Sequence, residues 1–562
     1  MVAAAGMTDV VSARHALLGA AWIALGLLVI VLMYQRVLLV NRVPIPKPAD
    51  ALADRAQEAV ARLGYPGPYR ATASGMTVST DYLSYVAQTN STAARWKDLR
   101  SLRPESVIYW QRTSPRLLIP FGRDNDVHGT NPPLNVSGMT LAVVDASGRL
   151  AEFHAVPEPI ESPEAHGPPN WKTLFDVASL EMGTFQPVKP EWIPLVYADE
   201  RSAWEGPLPE RPDLKVRVEA AAYHGRIVYF GMTGPWTRSN RSEPAAASRF
   251  NQILGSIAGL VMPALLLTGA ILARYNFRLE RGDRVGAIRA ATITFGISMF
   301  VWATGGTHVA SLGVEIDRFF AGVRGGLYNG AVLWVTYLGL EPYVRRTAPD
   351  SLIGWRRLIG GSWNDPHVGK DLIAGVSAGV LMTLFFPLYY LLPPIAGYPE
   401  PIPVLPDLRP LLGFRFVLSA LATHLLNAIS SGMLGTIGVI ALVMLLKRRW
   451  LAITVAIICF TPVVVDGMFS AGYPTLALAL GAAIITVFIF VVLHDGLLAG
   501  ITALTTHFFL MTAPTTLDFS NWWAPVGLWY IGSVALIGLG GCYLARSGRT
   551  WKPERAYSLQ RA

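Results

Sequence analysis

The chain has 562 residues, of which 52% are hydrophobic and only 15% are charged, and its formal net charge is +9. Soluble domains carry about 25% charged residues, so these values argue against an ordinary soluble protein and against a disordered one. Only two cysteines are present, Cys459 and Cys542, which excludes a disulfide framework and a cysteine-rich metal site. The basic excess of so apolar a chain indicates membrane orientation rather than nucleic-acid binding.

The first apolar run covers residues 16–40 and is long enough to cross a bilayer, which takes about 20 residues. Asn41, Arg42 and Pro44 follow it, and no small-residue cleavage site does. We therefore interpret residues 15–40 as an uncleaved anchor rather than a signal peptide. Residues 1–14 would form a short cytoplasmic N-terminus.

Residues 45–248 are polar and predict an inserted α+β domain. A helical pattern covers 50–64, and a second short helix is expected at 171–180. Hairpins are expected around the Asp145–Gly148 and His224-Gly225 turns. The order of helix, strands, helix, strands is compatible with two similar halves. The many tryptophans of this region would fill a small core or line an aromatic ligand groove.

A short basic segment of this polar region has two interpretations. Arg112, Ser114 and Arg116 follow Trp110 closely in the sequence. They are either ordinary surface residues or a site that recognises an acidic ligand.

Nine further apolar runs lie in residues 250–546, which we interpret as a multi-span domain, so the chain has about ten spans. The nine runs are 251–273, 287–307, 325–340, 372–393, 413–446, 450–469, 472–493, 496–513 and 524–545. The run 413–446 exceeds the length of one span and contains Ser430, Ser431 and Gly432. It is therefore expected to be tilted, kinked or broken.

Basic residues should mark the cytoplasmic side of each span. With ten spans, four basic clusters fall on one side: 274–289, 345–370, 447–449 and the tail 547–562 together with Arg546. Both termini are then cytoplasmic and residues 45–248 are extracytoplasmic. The basic residues between Arg36 and Arg55 favour the opposite orientation, but long domains translocate largely regardless of charge.

Glu341, Arg345 and Arg346 lie where the third of these nine runs ends. They predict interfacial anchoring and an ion pair between residues four apart. The alternative is the first motif of a CAAX-type intramembrane protease, with His424 and Asn427 as its later motif. Pro342 replaces that family's second glutamate, and the later spacing is three residues rather than four.

The longest polar segment of the membrane half is 355–371. Its candidate functional residues are Trp355, Arg356, Arg357, Asp365, Lys370 and Asp371. They would form a cytoplasmic loop packed on the spans, with Asp365-Pro366 starting a turn. Alternatively, they would form a docking surface for a cytoplasmic partner or an anionic lipid headgroup.

Several histidines and one asparagine lie in or beside apolar runs. His424 and Asn427 suggest a hydrogen bond between helices, or else a substrate or proton pathway. His308 and His507 are expected at membrane interfaces. No histidine pair has metal-ligand spacing, so neither a metal nor another cofactor is predicted.

The order of short segments along the chain resembles one known group of proteins. Among these segments are SVIYWQRTSPRLL at 106–118, WIPLVYADERSAWEG at 192–206, LEPYVRR at 340–346, WRRLIGGSWNDPHVGKDLIAG at 355–375 and APTTLDFSNWWAP at 513–525. The sequence resembles the non-kinase portion of bacterial transmembrane serine/threonine protein kinases. This resemblance implies a bacterial cytoplasmic membrane and a cytoplasmic amino terminus.

The kinase motifs themselves are absent. The sequence has no glycine-rich loop before a lysine strand, no His-Arg-Asp loop and no Asp-Phe-Gly. Only about 15 residues precede the first span, so we expect no kinase activity. The leading hypothesis is a membrane sensor or scaffold whose partners are the bilayer and a cytoplasmic signalling protein or separate kinase. The alternatives are a transporter of small molecules or lipids and an intramembrane hydrolase using Glu341 and His424.

Overall fold

The computed structural model describes residues 13–121, 126–160, 167–238, 249–347, 349–468 and 472–546. Eight helices in these ranges are long and apolar enough to cross a membrane. An eight-stranded antiparallel sheet follows the first of them in the chain. The architecture is that of a helical membrane protein with an inserted β domain, in agreement with the hydropathy pattern.

The β domain comprises residues 49–233. Its helices are α2 (Ala49–Arg62), α3 (Asp81–Thr89) and α4 (Trp171–Val177). Its strands are β1 (Ala71–Val78), β2 (Val107–Ser114), β3 (Thr140–Asp145), β4 (Leu150–Ala155), β5 (Gln186–Val188), β6 (Glu200–Leu208), β7 (Arg211–Tyr223) and β8 (Arg226–Thr233). Both predicted helices and both predicted hairpins, β3–β4 and β7–β8, are therefore confirmed. The other four strands have no predicted counterpart.

The sheet has two mirrored halves, because its strand order is β1-β2-β3-β4-β8-β7-β6-β5. Each half is a meander of four consecutive strands, and the halves meet where Phe153 of β4 pairs with Phe230 of β8. Helix α2 packs on β2 and β3 and contacts α4. Leu52, Phe153, Phe175 and Phe230 are buried in one core, which leaves the other face of β1–β4 for different contacts.

Within the described ranges, ten helices form the bundle. They are α1 (Ala13–Val37), α5 (Arg249–Arg278), α6 (Arg284–Gly305), α7 (Leu312–Thr347), α9 (Pro366–Ile395), α10 (Phe414–Leu446), α11 (Arg449–Met468), α12 (Pro474–His494), α13 (Leu497–Thr512) and α14 (Ala524–Arg546). A short helix, α8 (Ile353–Ile359), precedes α9. Of the ten, α7 and α13 are not among the eight candidate membrane spans, and α13 is a shorter apolar helix.

The long apolar run at 413–446 forms one helix. Helix α10 continues through Ser430, Ser431 and Gly432, so of the three expectations (tilted, kinked or broken) the break is excluded. Gly432 lies against Ile501 of α13, where an added Cβ would come within 2.7 Å of that side chain. A small residue at position 432 allows the two helices to pack closely. An apolar environment favours an uninterrupted helix, because a helix pairs its own backbone N–H and C=O groups.

One end of the bundle, called here the domain end, contacts the β domain and its linker. Trp96 Nε1 donates a hydrogen bond of 2.8 Å to the carbonyl oxygen of Pro401, and Arg42 pairs with Glu400 at 2.6 Å. Trp522 Nε1 donates to the carbonyl oxygen of Ile45 at 2.8 Å. The loops 396–413 and 513–523 therefore lie on the same side as the β domain, and the opposite end is called the far end.

Candidate functional site

A cavity of about 820 Å³ lies at the junction between the β domain and the domain end of the bundle. It borders residues 49–53 of α2, the strands β1 to β4 and the loop 126–130. The bundle contributes residues 307–308 and the segment 409–416. We call it the junction cavity, and its size lies within the range of about 300–1,000 Å³ that is usual for small-molecule sites.

The junction cavity has an aromatic wall on the β-domain side. Trp110 of β2 lies over Gly75 of β1, and a Cβ at Gly75 would be 2.6 Å from the indole. Glycine at this position therefore leaves room for the ring. Phe416 of α10 lines the bundle side, so the cavity can accept an apolar ring.

Charged side chains of opposite sign line the two sides of the cavity. Asp50, Asp126 and Glu152 come from the β domain, and Arg409 and Arg415 come from the bundle. Asp126 Oδ2 lies 2.9 Å from Arg409 Nη2. The Arg415 guanidinium instead lies 4.2 Å from the ring centroid of Phe416, and among the described residues no carboxylate pairs with it. Arg415 Nη1 also donates a hydrogen bond of 3.5 Å to the carbonyl oxygen of Gly306, and the other N–H groups of Arg415 are available to an anionic group.

Arg112 is not a surface residue, which corrects one of the two interpretations of the 112–116 segment. Its side chain is 0% exposed, because the loop 126–130 covers it and His128 accepts its Nη1 hydrogen bond at 3.0 Å through the backbone oxygen. The Nε and Nη2 atoms have no hydrogen-bond partner, and burial lowers the pKa of the Arg112 guanidinium to about 10. Arg112 thereby fixes the position of the loop 126–130, which lines the junction cavity. Arg116, in contrast, is exposed.

Most of the charged residues predicted in the membrane half meet at the far end. Glu341 is 0% exposed, and its Oε2 accepts a hydrogen bond of 3.2 Å from the backbone N–H of Asp283. Arg345 lies 3.3 Å from Glu341 and Arg356 lies 3.4 Å from Asp283. The predicted ion pair between residues 341 and 345 is therefore confirmed.

The 355–371 segment has a defined structure at this end. Arg357 pairs with Asp365, and Asp365 accepts a hydrogen bond from the backbone N–H of His367 as the N-cap of α9. Asp365-Pro366 thus begins a helix rather than a turn, because proline fits the first helical position and aspartate caps it. We define the far-end charge cluster as the six residues Asp283, Glu341, Arg345, Arg356, Arg357 and Asp365.

The other predicted residues of this region differ in exposure. Trp355 and Asp371 are buried, and Asp371 lies so close to Gly354 of α8 that an added Cβ would be 1.9 Å from its carboxylate. Lys370 and Arg346 are exposed. Since Arg356 and Arg357 already have acidic partners, the exposed residues Arg346 and Lys370 are better placed to contact another molecule.

His424 makes the predicted hydrogen bond between helices, with its Nε2 2.9 Å from Thr512 Oγ1 of α13. Asn427 is exposed. Thr512 and Leu498 lie near opposite ends of α13, about 21 Å apart at 1.5 Å per residue. Leu498 packs beside Gly354 of α8, the helix that also carries Arg356 of the far-end charge cluster. The structure therefore does not bring His424 to Glu341, and the geometry offers no support for a hydrolase built on that pair.

Sequence reasoning missed most of the junction cavity. Trp110 belongs to the tryptophans that are predicted to fill a core or line an aromatic groove, but Glu152, Arg409 and Arg415 belong to no local motif. Arg409 and Arg415 flank a sharp transition from a proline-rich loop to a long apolar run, and that position is the only signal available. No known protein family matches this chain, and no curated protein or solved structure is significantly similar to it. The resemblance to membrane kinases stays a prediction.

Proposed function

We propose that this protein is a membrane receptor that binds a small molecule in the junction cavity and changes the arrangement of its helices in response. The observation that carries this proposal is a cavity of about 820 Å³ lined by both the β domain and the bundle. A ligand that contacts two bodies at once has a different affinity for different relative positions of those bodies. It can therefore shift their equilibrium.

The part of the lining around Arg415, Phe416 and Trp110 favours a ligand with an anionic group and an apolar ring. The anionic group would pair with Arg415, and the ring would stack on Trp110 or Phe416. Carboxylate recognition by arginine supplies charge-assisted hydrogen bonds, and the aromatic wall supplies apolar contact. No catalytic step is proposed.

Helices α6 and α7 connect the cavity region to the far-end charge cluster. Helix α6 begins beside Asp283 and ends at Gly305, whose carbonyl oxygen accepts a hydrogen bond from Arg409. Helix α7 ends beside Glu341 and Arg345, and α10 begins at the cavity. With the β domain outside the cell, the far end would face a cytoplasmic signalling protein or a separate kinase. Arg346 and Lys370 would lie in that output surface.

Phenylacetate is the first probe, since it combines a ring with a carboxylate. We expect it to bind the full chain in lipid nanodiscs more tightly than phenylethylamine or benzyl alcohol, as measured by isothermal titration calorimetry. Arg415→Gln should weaken this binding about tenfold, the effect of losing about 1.4 kcal/mol of a charge-assisted contact. Hydrogen exchange of residues 353–359 should also change when phenylacetate binds.

The matched control is Arg448→Gln, which removes an arginine at the opposite end of α10 and should leave the affinity unchanged. Equal binding of the three probes, or an unchanged affinity in Arg415→Gln, would contradict the proposed site. Binding without any change in exchange at 353–359 would retain the site and contradict the receptor function.

Transport of a small molecule is the second candidate, because a smaller cavity of about 280 Å³ adjoins the first. Asp126 and Arg409 line both cavities. The smaller one continues between α6, α7 and α10 past the polar side chains of Ser298, Asn329 and Thr423. Uptake of a radiolabelled probe into proteoliposomes, lost in Arg409→Gln, would favour transport over reception.

A further inference from the structure

A third cavity, of about 310 Å³, lies inside the bundle. Helices α5, α9, α10, α11, α12 and α13 contribute to its wall, and all but two of the lining residues are apolar. The two exceptions are Ser431 and His507. Met262 of α5 lines the cavity and is also 40% exposed on the outer surface of the bundle, so the cavity adjoins the lipid-facing side.

His507 is buried inside the bundle, although its position near the end of an apolar run predicts a residue at the membrane interface. Its side chain is 2% exposed. Its Nδ1 lies 3.1 Å from Thr383 Oγ1, whereas its Nε2 has no hydrogen-bond partner. A buried polar atom without a partner is costly, so a hydrogen-bonding group of a ligand in the cavity would be stabilised at this nitrogen.

The hydrogen bonds of Thr383 determine which group that is. The Thr383 hydroxyl donates to the carbonyl oxygen of Gly379 at 2.7 Å, so its single proton is already used. Its oxygen must then accept a hydrogen bond from Nδ1–H of His507. A neutral imidazole carries one N–H and one lone pair, which leaves Nε2 as an acceptor.

The size of the cavity limits the rest of the ligand. An engineered apolar cavity of about 150 Å³ holds one benzene molecule, and this cavity is about twice as large. It can accept about ten carbon atoms as two rings or a bent chain. Phe460 and Phe488 are among the lining side chains, and they offer apolar contact but no charge.

We propose that this cavity binds a membrane-soluble alcohol, whose hydroxyl group donates a hydrogen bond to Nε2 of His507 while its hydrocarbon fills the apolar space. The site is separate from the junction cavity and does not depend on the receptor function. It also assigns a role to the one buried histidine nitrogen of the bundle that the described structure leaves without a partner.

The test uses a ten-carbon alcohol carrying a diazirine and the methyl ether of the same molecule. Both are photolysed with the full chain in lipid nanodiscs, and labelled peptides are mapped by mass spectrometry. We expect the alcohol to label peptides of α10, α12 and α13 at least fivefold more than the ether, because only the alcohol can donate to His507. Equal labelling by the two probes, or labelling elsewhere, would overturn the proposal.

Three variants distinguish the loss of the hydrogen bond to His507 from a failure of the protein to fold. His507→Leu should reduce labelling by the alcohol to the level of the ether. Ala258→Phe fills the cavity from the peripheral helix α5 with His507 retained, and it should abolish labelling of these helices by both probes. His424→Leu, which removes a histidine that does not line the cavity, should keep the fivefold preference. Unchanged labelling in Ala258→Phe would refute the site even if His507→Leu fails to fold.

Discussion

Replacing Asp145 by asparagine is expected to lower the free energy of unfolding of the β domain by about 3–5 kcal/mol. Asp145 Oδ2 lies 3.3 Å from Arg103 Nε, and both side chains are 0% exposed. The other carboxylate oxygen accepts hydrogen bonds from the backbone N–H groups of Ser147 and Arg149 in the hairpin turn. The substitution leaves the Arg103 charge buried without its counter-ion, which is what makes the loss large.

Pulse proteolysis of the full chain in increasing urea measures this effect through the fragments of residues 49–233. The matched control is Asp213→Asn, which removes an exposed carboxylate paired with Arg211 and should leave the midpoint urea concentration unchanged. If the two variants behave alike, the buried ion pair does not stabilise the β domain in the way argued here.

Replacing Gly375 by leucine is expected to destabilise the bundle by about 3 kcal/mol or more, since overpacking alone costs 1–3 kcal/mol where side chains can adjust. Gly375 lies at the crossing of α9 and α13. An added Cβ would be 2.6 Å from the carbonyl oxygen of Ala499 and 2.5 Å from Cβ of Thr502. Because part of the obstacle is backbone, a larger side chain must push the helices apart.

Unfolding in sodium dodecyl sulfate, followed by circular dichroism, tests this prediction. Gly532→Leu on α14 is the control, as a Cβ there has no atom within 4 Å other than those of its chain neighbours and of the backbone of its own helix. We expect Gly375→Leu to unfold at a clearly lower detergent fraction and Gly532→Leu to match the unsubstituted protein. A normal transition in Gly375→Leu would show that α9 and α13 are not closely packed in solution.

The elements of this fold that could be predicted are those determined by nearby residues. The β3–β4 hairpin follows from short apolar segments on either side of a turn in which Asp145 accepts a hydrogen bond from the backbone N–H of Ser147. Helix α7 was predicted only from residue 325 onward, although it begins at Leu312. Glu315, Asp317 and Arg318 interrupt the apolar pattern there, yet the helix continues because these side chains lie at the domain end, beside other polar groups.

The candidate site could not be predicted in the same way, because its parts are distant in sequence. Asp126 and Arg409 are separated by more than half of the chain. Their contact depends on how the β domain packs on the bundle, and no local pattern reports that packing. His507 illustrates the same limit: its position near a helix end suggested an interface, while its burial results from the crossing with Thr383 of α9.

The mirrored sheet leaves two edge strands, and each is protected in a different way. At one edge, β5 is only three residues long and contains Pro187, which cannot donate a hydrogen bond to an added strand. At the other edge, β1 lies beside the segment 409–412 of the bundle. That segment is synthesised long after the β domain. The β1 edge consequently stays open to pairing with other chains during biogenesis until the later helices have assembled.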